Sequence, residues 1–134
     1  MSKSPLSAEV FMGKAATACA SAWVLLEHGD TDGAVNRAYY AMFDAARAAL
    51  LATGAPVEPD IARTHSGLIA AFGQHLVKNG PLARELGRLL NRAHEIRLLA
   101  DYAGSSVEAD DARQMVEQAE HFIAAIGPVI LSND

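Results

Sequence analysis

Apolar residues recur along this chain at intervals of three and four positions, whereas glycine and proline gather at a few junctions. This spacing is typical of amphipathic helices, and no segment shows the strict alternation of a strand. The pattern predicts five helices, at about residues 7–28, 32–52, 61–77, 82–103 and 106–126. We therefore expect a single all-α domain over residues 1–134, built as an up-and-down bundle of four to five helices.

Capping residues support several of these predicted ends. Ser7 is placed to cap the first helix with its side-chain oxygen, and Asp30, Thr31 and Asp32 each offer a cap for the second. In the junction KNGPL at residues 78–82, glycine should end the third helix and proline should begin the fourth. Ser105, with Glu108 three residues later, has the spacing of a capping box for the fifth helix.

The fourth predicted helix combines a continuous apolar stripe with a polar flank. Its apolar residues repeat at four-three spacing and predict one core-facing stripe: Leu82, Leu86, Leu89, Ala93, Ile96, Ala100 and Ala103. Arg97 lies near one edge of this stripe, with His94 and Asp101 further round on the same flank. A cation and a carboxylate so close to a packed seam, followed by the phenol of Tyr102, indicate a site rather than packing alone.

A second polar set lies on the second predicted helix and consists of Asn36, Arg37, Tyr40, Asp44 and Arg47. By default this set is a solvated, salt-bridged face, and alternatively it faces the Arg97 flank from a neighbouring helix. A separate ridge of small residues follows the same helix: Ala38, Ala41, Ala45 and Ala48. Small side chains let helix axes approach closely, which suits either the centre of a bundle or a subunit interface.

Composition narrows the class of protein. Half of the residues are apolar (51%), which is enough for one core, and the net charge is −5. An acidic molecule does not attract polyanions by its long-range field, so any contact with nucleic acid requires a local basic patch or an oligomer cleft. The only cysteine, Cys19, can form neither an intrachain disulfide nor a thiolate cluster, which favours a reducing cytosol.

Several kinds of site and segment are not indicated. The opening residues MSKSPLSAEV do not have the pattern of a secretory signal, and no uninterrupted apolar run approaches the ~20 residues that cross a bilayer. The sequence shows no glycine-rich phosphate loop, no zinc spacing and no pair of Glu-x-x-His motifs. We therefore expect a cytoplasmic protein without membrane association, metal or cofactor.

Four segments occur in a recognisable order: NRAYYAMFDAARAAL, RTHSGLIAAFGQHLVKNG, LLNRAHEIRLLADYAG and VEADDARQMVEQAEHF. Together they resemble the HEPN domain superfamily, and more narrowly its small stand-alone prokaryotic branch. The resemblance implies a homodimeric helical bundle in which the polar motifs of both subunits line a shared cleft. It also implies a metal-independent ribonuclease that acts as the toxin of a toxin–antitoxin pair, beside a minimal nucleotidyltransferase antitoxin.

The resemblance assigns roles to particular residues. Arg97 matches the family arginine, and Tyr102 matches the tyrosine that the antitoxin adenylylates in some systems. The family histidine is missing, because Asp101 stands near its usual place. Arg88 and His94 also have the family's Arg-to-His spacing, but they lie upstream of the aligned segment.

Metal-free RNA cleavage requires a base, a cation for the phosphorane and an acid for the leaving oxygen. Arg97 suits the second role, whereas Asp101 is a weak base unless burial raises its pKa. His65 is the best substitute proton carrier, although Thr64 and His65 could simply begin the third helix. Arg97 and Asp101 also have the spacing of an ordinary intrahelical ion pair. Tyr102 could equally be an amphipathic residue that covers the end of the bundle, with its ring on the core and its hydroxyl in water.

The sequence thus predicts a HEPN-type toxin that binds RNA, tRNA included, and cleaves it at a dimer cleft. The expected catalytic residues are Arg97, Asp101 and Tyr102. The expected cleft residues are Asn36, Arg37, Tyr40, Asp44, His65 and His94. The alternative is a non-catalytic HEPN module that binds a nucleotide or a nucleotidyltransferase, and a weaker one is a structural dimerisation bundle.

Overall fold

The computed structural model describes residues 7–132, and residues 1–6 and 133–134 of the predicted domain lie outside the described residues. A π-helical turn, Gly73–Lys78, continues the fourth of six helices: α1 Ala8–Glu27, α2 Thr31–Ala52, α3 Pro59–Arg63, α4 His65–Phe72, α5 Arg84–Tyr102 and α6 Ala109–Ser132. No strand occurs between residues 7 and 132. The predicted all-α bundle is confirmed.

The first two helices form a hairpin whose ends are set by local hydrogen bonds. Ser7 Oγ accepts from Val10 N at 3.2 Å, and Asp30 Oδ1 accepts from Gly33 N at 2.8 Å. The predicted Ser7 cap is therefore present, and Asp30 is the cap among the three residues offered for the second helix. Each satisfies a backbone donor that the first turn leaves without a helical partner.

Helix α2 is the centre of the bundle and packs against α1, α4, α5 and α6. Its ridge of small residues has no solvent exposure in any member: Ala38, Ala41, Ala45 and Ala48. The ridge therefore serves close helix packing inside the protomer and is not left free as a subunit interface. On the far side of the core, the rings of Phe72 and Phe122 pack with centroids 5.4 Å apart.

The predicted third helix is divided, so the expectation of one helix at about 61–77 was wrong. Thr64 has an extended backbone (φ −87°, ψ 149°) that ends α3, and its Oγ1 accepts from Gly67 N at 2.9 Å to cap α4. A side chain able to bond a nearby backbone donor competes with continued helix at this point. As a result, His65 occupies the first position of α4 instead of the interior of a longer helix.

The fourth predicted helix begins later than expected, at Arg84, because the chain from Asn79 to Ala83 is irregular. Leu82 N donates to Leu76 O at 2.8 Å, which ties this segment to the π-helical turn. The proline of the junction therefore does not occupy the first position of α5. The core stripe also differs at three positions, since Leu90 is fully buried, Leu82 precedes the helix and Ala103 lies exposed beyond it.

The last helix differs from the prediction at both ends. Val107 N donates to Asp32 Oδ1 at 2.9 Å, and the first helical turn begins where Ala112 N donates to Glu108 O. Glu108, not Ser105, therefore precedes α6, and the predicted capping box was wrong. The helix also continues through Pro128 to Ser132, because a proline removes one backbone hydrogen bond without necessarily ending a helix.

Within the described part of the chain, α1 alone is long and apolar enough to span a membrane by length and composition, with a hydropathy of 1.2. A core helix of a soluble protein passes the same test. Helix α1 packs against α2 and α6 through six buried residues: Phe11, Ala15, Ala18, Cys19, Ala22 and Leu26. Only 28% of its apolar window is buried, and cytoplasmic localisation stays a prediction.

Candidate functional site

The side chain of Arg97 projects from α5 into the bundle and is only 11% exposed. Its Nη1 donates to Tyr40 Oη on α2 at 3.0 Å. Its guanidinium carbon lies 5.3 Å from the ring centroid of Tyr39 and 5.8 Å from that of Tyr40. A cation packed against two aromatic rings gains electrostatic stabilisation in place of part of its lost hydration. Arg97 is therefore a positioned internal cation and not a surface arginine.

One edge of this guanidinium lacks a hydrogen-bond partner. The pair predicted from spacing is present, because Arg97 Nε lies 3.7 Å from Asp101 Oδ2, but that distance is too long for a hydrogen bond. Nε is buried without a partner, whereas Nη2 forms no hydrogen bond with a described residue and still reaches solvent. Nε and Nη2 share the edge that binds a carboxylate or phosphate in two-point contact.

Two imidazoles lie beside Arg97, one from α4 and one from α5. The rings of His65 and His94 are parallel to within 9°, with centroids 5.6 Å apart. His65 Nδ1 is 2.6 Å from Tyr39 Oη, which fixes the orientation of the His65 ring. The cap at Thr64 makes His65 the first residue of α4. His65 therefore begins a helix, as one alternative expected, and also lies beside Arg97.

The surroundings favour the neutral form of three titratable groups near Arg97, namely His65, His94 and Tyr39. Burial first, and the positive charge of Arg97 second, lower the pKa of His65 and of His94. Burial raises the pKa of the Tyr39 hydroxyl, with Arg97 opposing the change. At neutral pH, the site therefore combines one permanent cation with two imidazoles that are able to accept protons.

Tyr39 and Phe43 belong to this cluster, although the sequence analysis did not select them. The Phe43 ring lies 5.1 Å from that of His65, and the Tyr39 ring lies 5.2 Å from that of Tyr40. Tyr39 is fully buried, so its hydroxyl requires a partner. The sequence signal that could have identified Tyr39 is its place on the alanine-rich face of α2, because a tyrosine there introduces a polar group into the core. We call the seven residues Tyr39, Tyr40, Phe43, His65, His94, Arg97 and Asp101 the Arg97 site.

The remaining predicted residues lie at the edge of the Arg97 site or outside it. Arg37 approaches it, with its guanidinium carbon 5.1 Å from the Tyr40 ring centroid and its Nη2 donating to Asn36 Oδ1 at 3.3 Å. Asp44 lies further along α2, where burial raises its pKa against the effect of three neighbouring cations. Tyr102 is 79% exposed at the end of α5. A proton-transfer role for Tyr102 within the site therefore has no geometric support in the protomer.

Comparison with known proteins identifies the fold that carries this site. The HEPN domain family model matches residues 8–128. A UPF0332 protein of Gloeobacter violaceus is 38% identical over 114 residues, which cover 84% of this chain and 86% of its own. A UPF0332 protein of Thermotoga maritima is also 38% identical, over 80% of this chain and 78% of its own.

An archaeal relative carries a functional name. The protein named "Putative toxin MJ0605" of Methanocaldococcus jannaschii is 32% identical over 106 residues, which cover 79% of this chain and 75% of its own. The family match spans nearly every helix described above, including all residues of the Arg97 site. The chain therefore belongs to the HEPN domain family.

Proposed function

We propose that this HEPN protein is a toxin component that binds RNA at the Arg97 site and cleaves it without a metal ion. Family membership and the toxin names of archaeal relatives support a toxin-like role. The observation that carries the chemistry is the unbonded Nε–Nη2 edge of Arg97 beside two imidazoles. It supplies in one place the cation and the proton carriers that the reaction requires.

The proposed reaction is an internal transesterification. One imidazole accepts the proton of the ribose 2′-hydroxyl, and the 2′-oxygen attacks the adjacent phosphorus. Arg97 stabilises the additional charge on the phosphorane oxygens through its planar fork. The bond to the 5′-oxygen breaks, that oxygen receives a proton from the second imidazole, and the products are a 2′,3′-cyclic phosphate and a 5′-hydroxyl.

The two imidazoles take the role left open by the missing family histidine. In the absence of substrate, burial and Arg97 hold the pKa of both rings below its usual value, so neither is a ready acid. A phosphate bound to Arg97 offsets that positive charge and raises both values. Substrate binding therefore creates the protonated imidazole that the leaving oxygen requires.

Asp101 has a different role in this account from the catalytic one predicted from its position. Its carboxylate lies beside the edge of Arg97 to which a phosphate would bind, and its side chain is 34% exposed. A phosphate would displace Asp101 towards solvent, since both anions compete for one edge. Asp101 then holds Arg97 in place before binding and weakens the affinity of the site for anions.

Regulation by a partner is a further part of the proposal. Tyr102 is exposed at the end of α5, and a nucleotidyltransferase antitoxin can reach its hydroxyl without unfolding the bundle. We propose Tyr102 as the adenylylation target and a homodimer as the active form. Mass spectrometry after incubation with ATP and the nucleotidyltransferase would detect the adduct, and Tyr102→Phe should abolish it. A wild-type protein that stays unmodified would refute this assignment.

The test of the proposed function is cleavage of total tRNA in EDTA by the purified protein. We expect a cyclic-phosphate product, and we expect Arg97→Ala to reduce the rate by about 100-fold or more. Arg88 is an exposed arginine on the same helix, and Arg88→Ala should leave the rate unchanged. An equal loss of rate in Arg88→Ala would instead assign the activity to the pair Arg88 and His94. RNA that is bound but remains intact would support the non-catalytic alternative.

A further inference from the structure

A groove of about 660 Å³ lies between α1 and α2, on the side of α2 that carries Arg37 and Asp44. Helix α1 contributes short side chains and one cation to it, namely Val10, Gly13, Lys14, Thr17, Ala18 and Ser21. We call this feature the α1–α2 groove.

Three cations surround the one carboxylate of this groove. Lys14, Arg47 and Arg37 all act on Asp44 electrostatically, yet none lies within ion-pair distance of it in the described part of the chain. The charge of the groove and its rim is therefore net positive. This is a local exception in a chain whose formal charge is −5. The groove is thus the kind of basic patch that an acidic protein requires to bind a polyanion.

Aromatic rings position these cations and leave their hydrogen-bond donors available. The guanidinium carbon of Arg47 is 4.7 Å from the Phe11 ring centroid, and Lys14 Nζ is 5.7 Å from the same ring. A guanidinium stacked on a ring face still presents its N–H groups at its edges. Phe11 therefore holds Arg47 and Lys14 in place without using the donors that a phosphate would need, whereas Nη2 of Arg37 donates to Asn36 Oδ1.

One cation of the groove and the cation of the Arg97 site both lie near the ring of Tyr40. Arg37 lines the groove, and its guanidinium carbon lies 5.1 Å from the Tyr40 ring centroid. The guanidinium carbon of Arg97 is 5.8 Å from that same centroid. Tyr40 therefore joins a cation of the groove to the cation of the Arg97 site.

The spacing of the cations favours a polymer over a single nucleotide. Arg37 and Arg47 are ten positions apart on α2, which is ~15 Å at 1.5 Å per residue. Cations spread over that length do not converge on one phosphate group, but they match successive phosphates of a strand. We propose that the α1–α2 groove binds the single-stranded RNA backbone that flanks the phosphate held by Arg97. Lys14, Arg37 and Arg47 contact its phosphates.

This inference rests on the proposed function, and its test separates the two. The probe is a fluorescent 2′-O-methyl oligoribonucleotide, which has no 2′-hydroxyl and cannot be cleaved. Its dissociation constant is measured by anisotropy across a series of KCl concentrations for the wild type and for Lys14→Gln, with Lys14→Arg and Lys78→Gln as controls. Lys14 and Lys78 are both exposed, but Lys78 lies in the π-helical turn and does not line the groove.

We expect Lys14→Gln to weaken binding and to lower the slope of log affinity against log salt by about 0.7, as expected for one lost phosphate contact in a single strand. Lys14→Arg and Lys78→Gln should keep the wild-type slope. Thr17→Trp, which fills the groove without changing charge, should also weaken binding. With a cleavable RNA, Lys14→Gln should raise KM and leave kcat unchanged.

If Lys14→Gln and Thr17→Trp both keep the wild-type affinity and salt slope, the inference about the groove is wrong. In that case, loss of cleavage in Arg97→Ala would still support the proposed function. An equal loss in Lys78→Gln would also overturn it, because binding would then follow net charge alone. Failure of the wild-type protein to bind the oligonucleotide at low salt would contradict both proposals.

Discussion

His65 and His94 present parallel imidazole rings to each other, 5.6 Å apart, although one begins α4 and the other lies within α5. Neither histidine aligns with the position where the family usually carries its catalytic histidine. They nevertheless lie together beside Arg97, so the site contains two imidazoles although the sequence motif around Arg97 lacks the usual histidine. The positions of α4 and α5 against α2, rather than local spacing in α5, produce this arrangement.

The first prediction concerns the pH dependence of stability. The folded protein holds the pKa of His65 and His94 below the unfolded value of about 6.5, so the unfolded chain binds more protons near and below that pH. The stabilisation that this provides is therefore present above about pH 6.5 and is lost as pH falls towards the lowered values. Urea unfolding of the wild type and of the double variant His65→Gln/His94→Gln between pH 5 and 7.5 measures it. A wild-type free energy of unfolding that falls no more steeply than the variant's would contradict the prediction.

A second prediction concerns the hydrogen bond between Tyr39 and His65. Tyr39→Phe keeps the packing of the ring but removes the partner of His65 Nδ1. We expect a loss of about 1 kcal/mol in the free energy of unfolding. We also expect a displaced acidic limb in the pH profile of cleavage, because His65 is then less firmly oriented. Tyr40→Phe serves as the matched variant, since it removes the bond to Arg97 instead. Identical pH profiles for wild type and Tyr39→Phe would show that the bond is structural only.

The third prediction tests Asp101 as a competitor for Arg97. Asp101→Asn preserves shape but removes the negative charge beside Nε. The affinity for an uncleavable oligoribonucleotide should rise, because the phosphate no longer displaces a carboxylate. Glu95→Gln on the same helix is the control for loss of one negative charge. Weaker binding in Asp101→Asn than in Glu95→Gln would show that Asp101 supports the anion site.

A fourth prediction concerns the turn that precedes α5. A Cβ atom at Gly80 would lie 2.4 Å from His75 O and 2.6 Å from Leu76 Cα, which are backbone atoms that cannot move aside cheaply. Gly80→Ala should destabilise the fold by roughly 1–3 kcal/mol. At Gly13, inside α1, such a Cβ would meet no atom within 4 Å apart from its chain neighbours and the backbone of its own helix, so Gly13→Ala should stabilise α1 by up to about 1 kcal/mol. Thermal unfolding of both variants compares them, and a tolerated Gly80→Ala would contradict the described packing of this turn.

The sequence predicted the helical bundle well because helix periodicity and capping are local properties. The ends of α1 and α2 follow from Ser7 and Asp30, whose side chains bond donors three residues away. The start of α6 follows a tertiary contact, the bond from Val107 N to Asp32 Oδ1, which no local pattern reveals. The break at Thr64 was missed because its side-chain cap competes with an apolar pattern that continues on both sides.

The candidate site was predictable only in part, for a related reason. Periodicity places Arg97 at the edge of a core stripe, but it does not give the rotation of α5 against α2 that brings Arg97 to Tyr40. It also cannot show that His65 and His94 meet, since they belong to different helices. Tyr102 is adjacent to Asp101 in sequence, yet one residue corresponds to about 100° around a helix. This difference is enough to direct Tyr102 into solvent.

The proposed chemistry depends on Arg97 binding a phosphate beside two imidazoles whose pKa values are lowered by burial first and by the charge of Arg97 second. NMR titration of the His65 and His94 Cε1 protons, with and without a saturating 2′-O-methyl oligoribonucleotide, tests it directly. We expect the ligand to raise both pKa values in the wild type and to raise neither in Arg97→Ala. Saturation of the wild-type protein with no change in either pKa would contradict it.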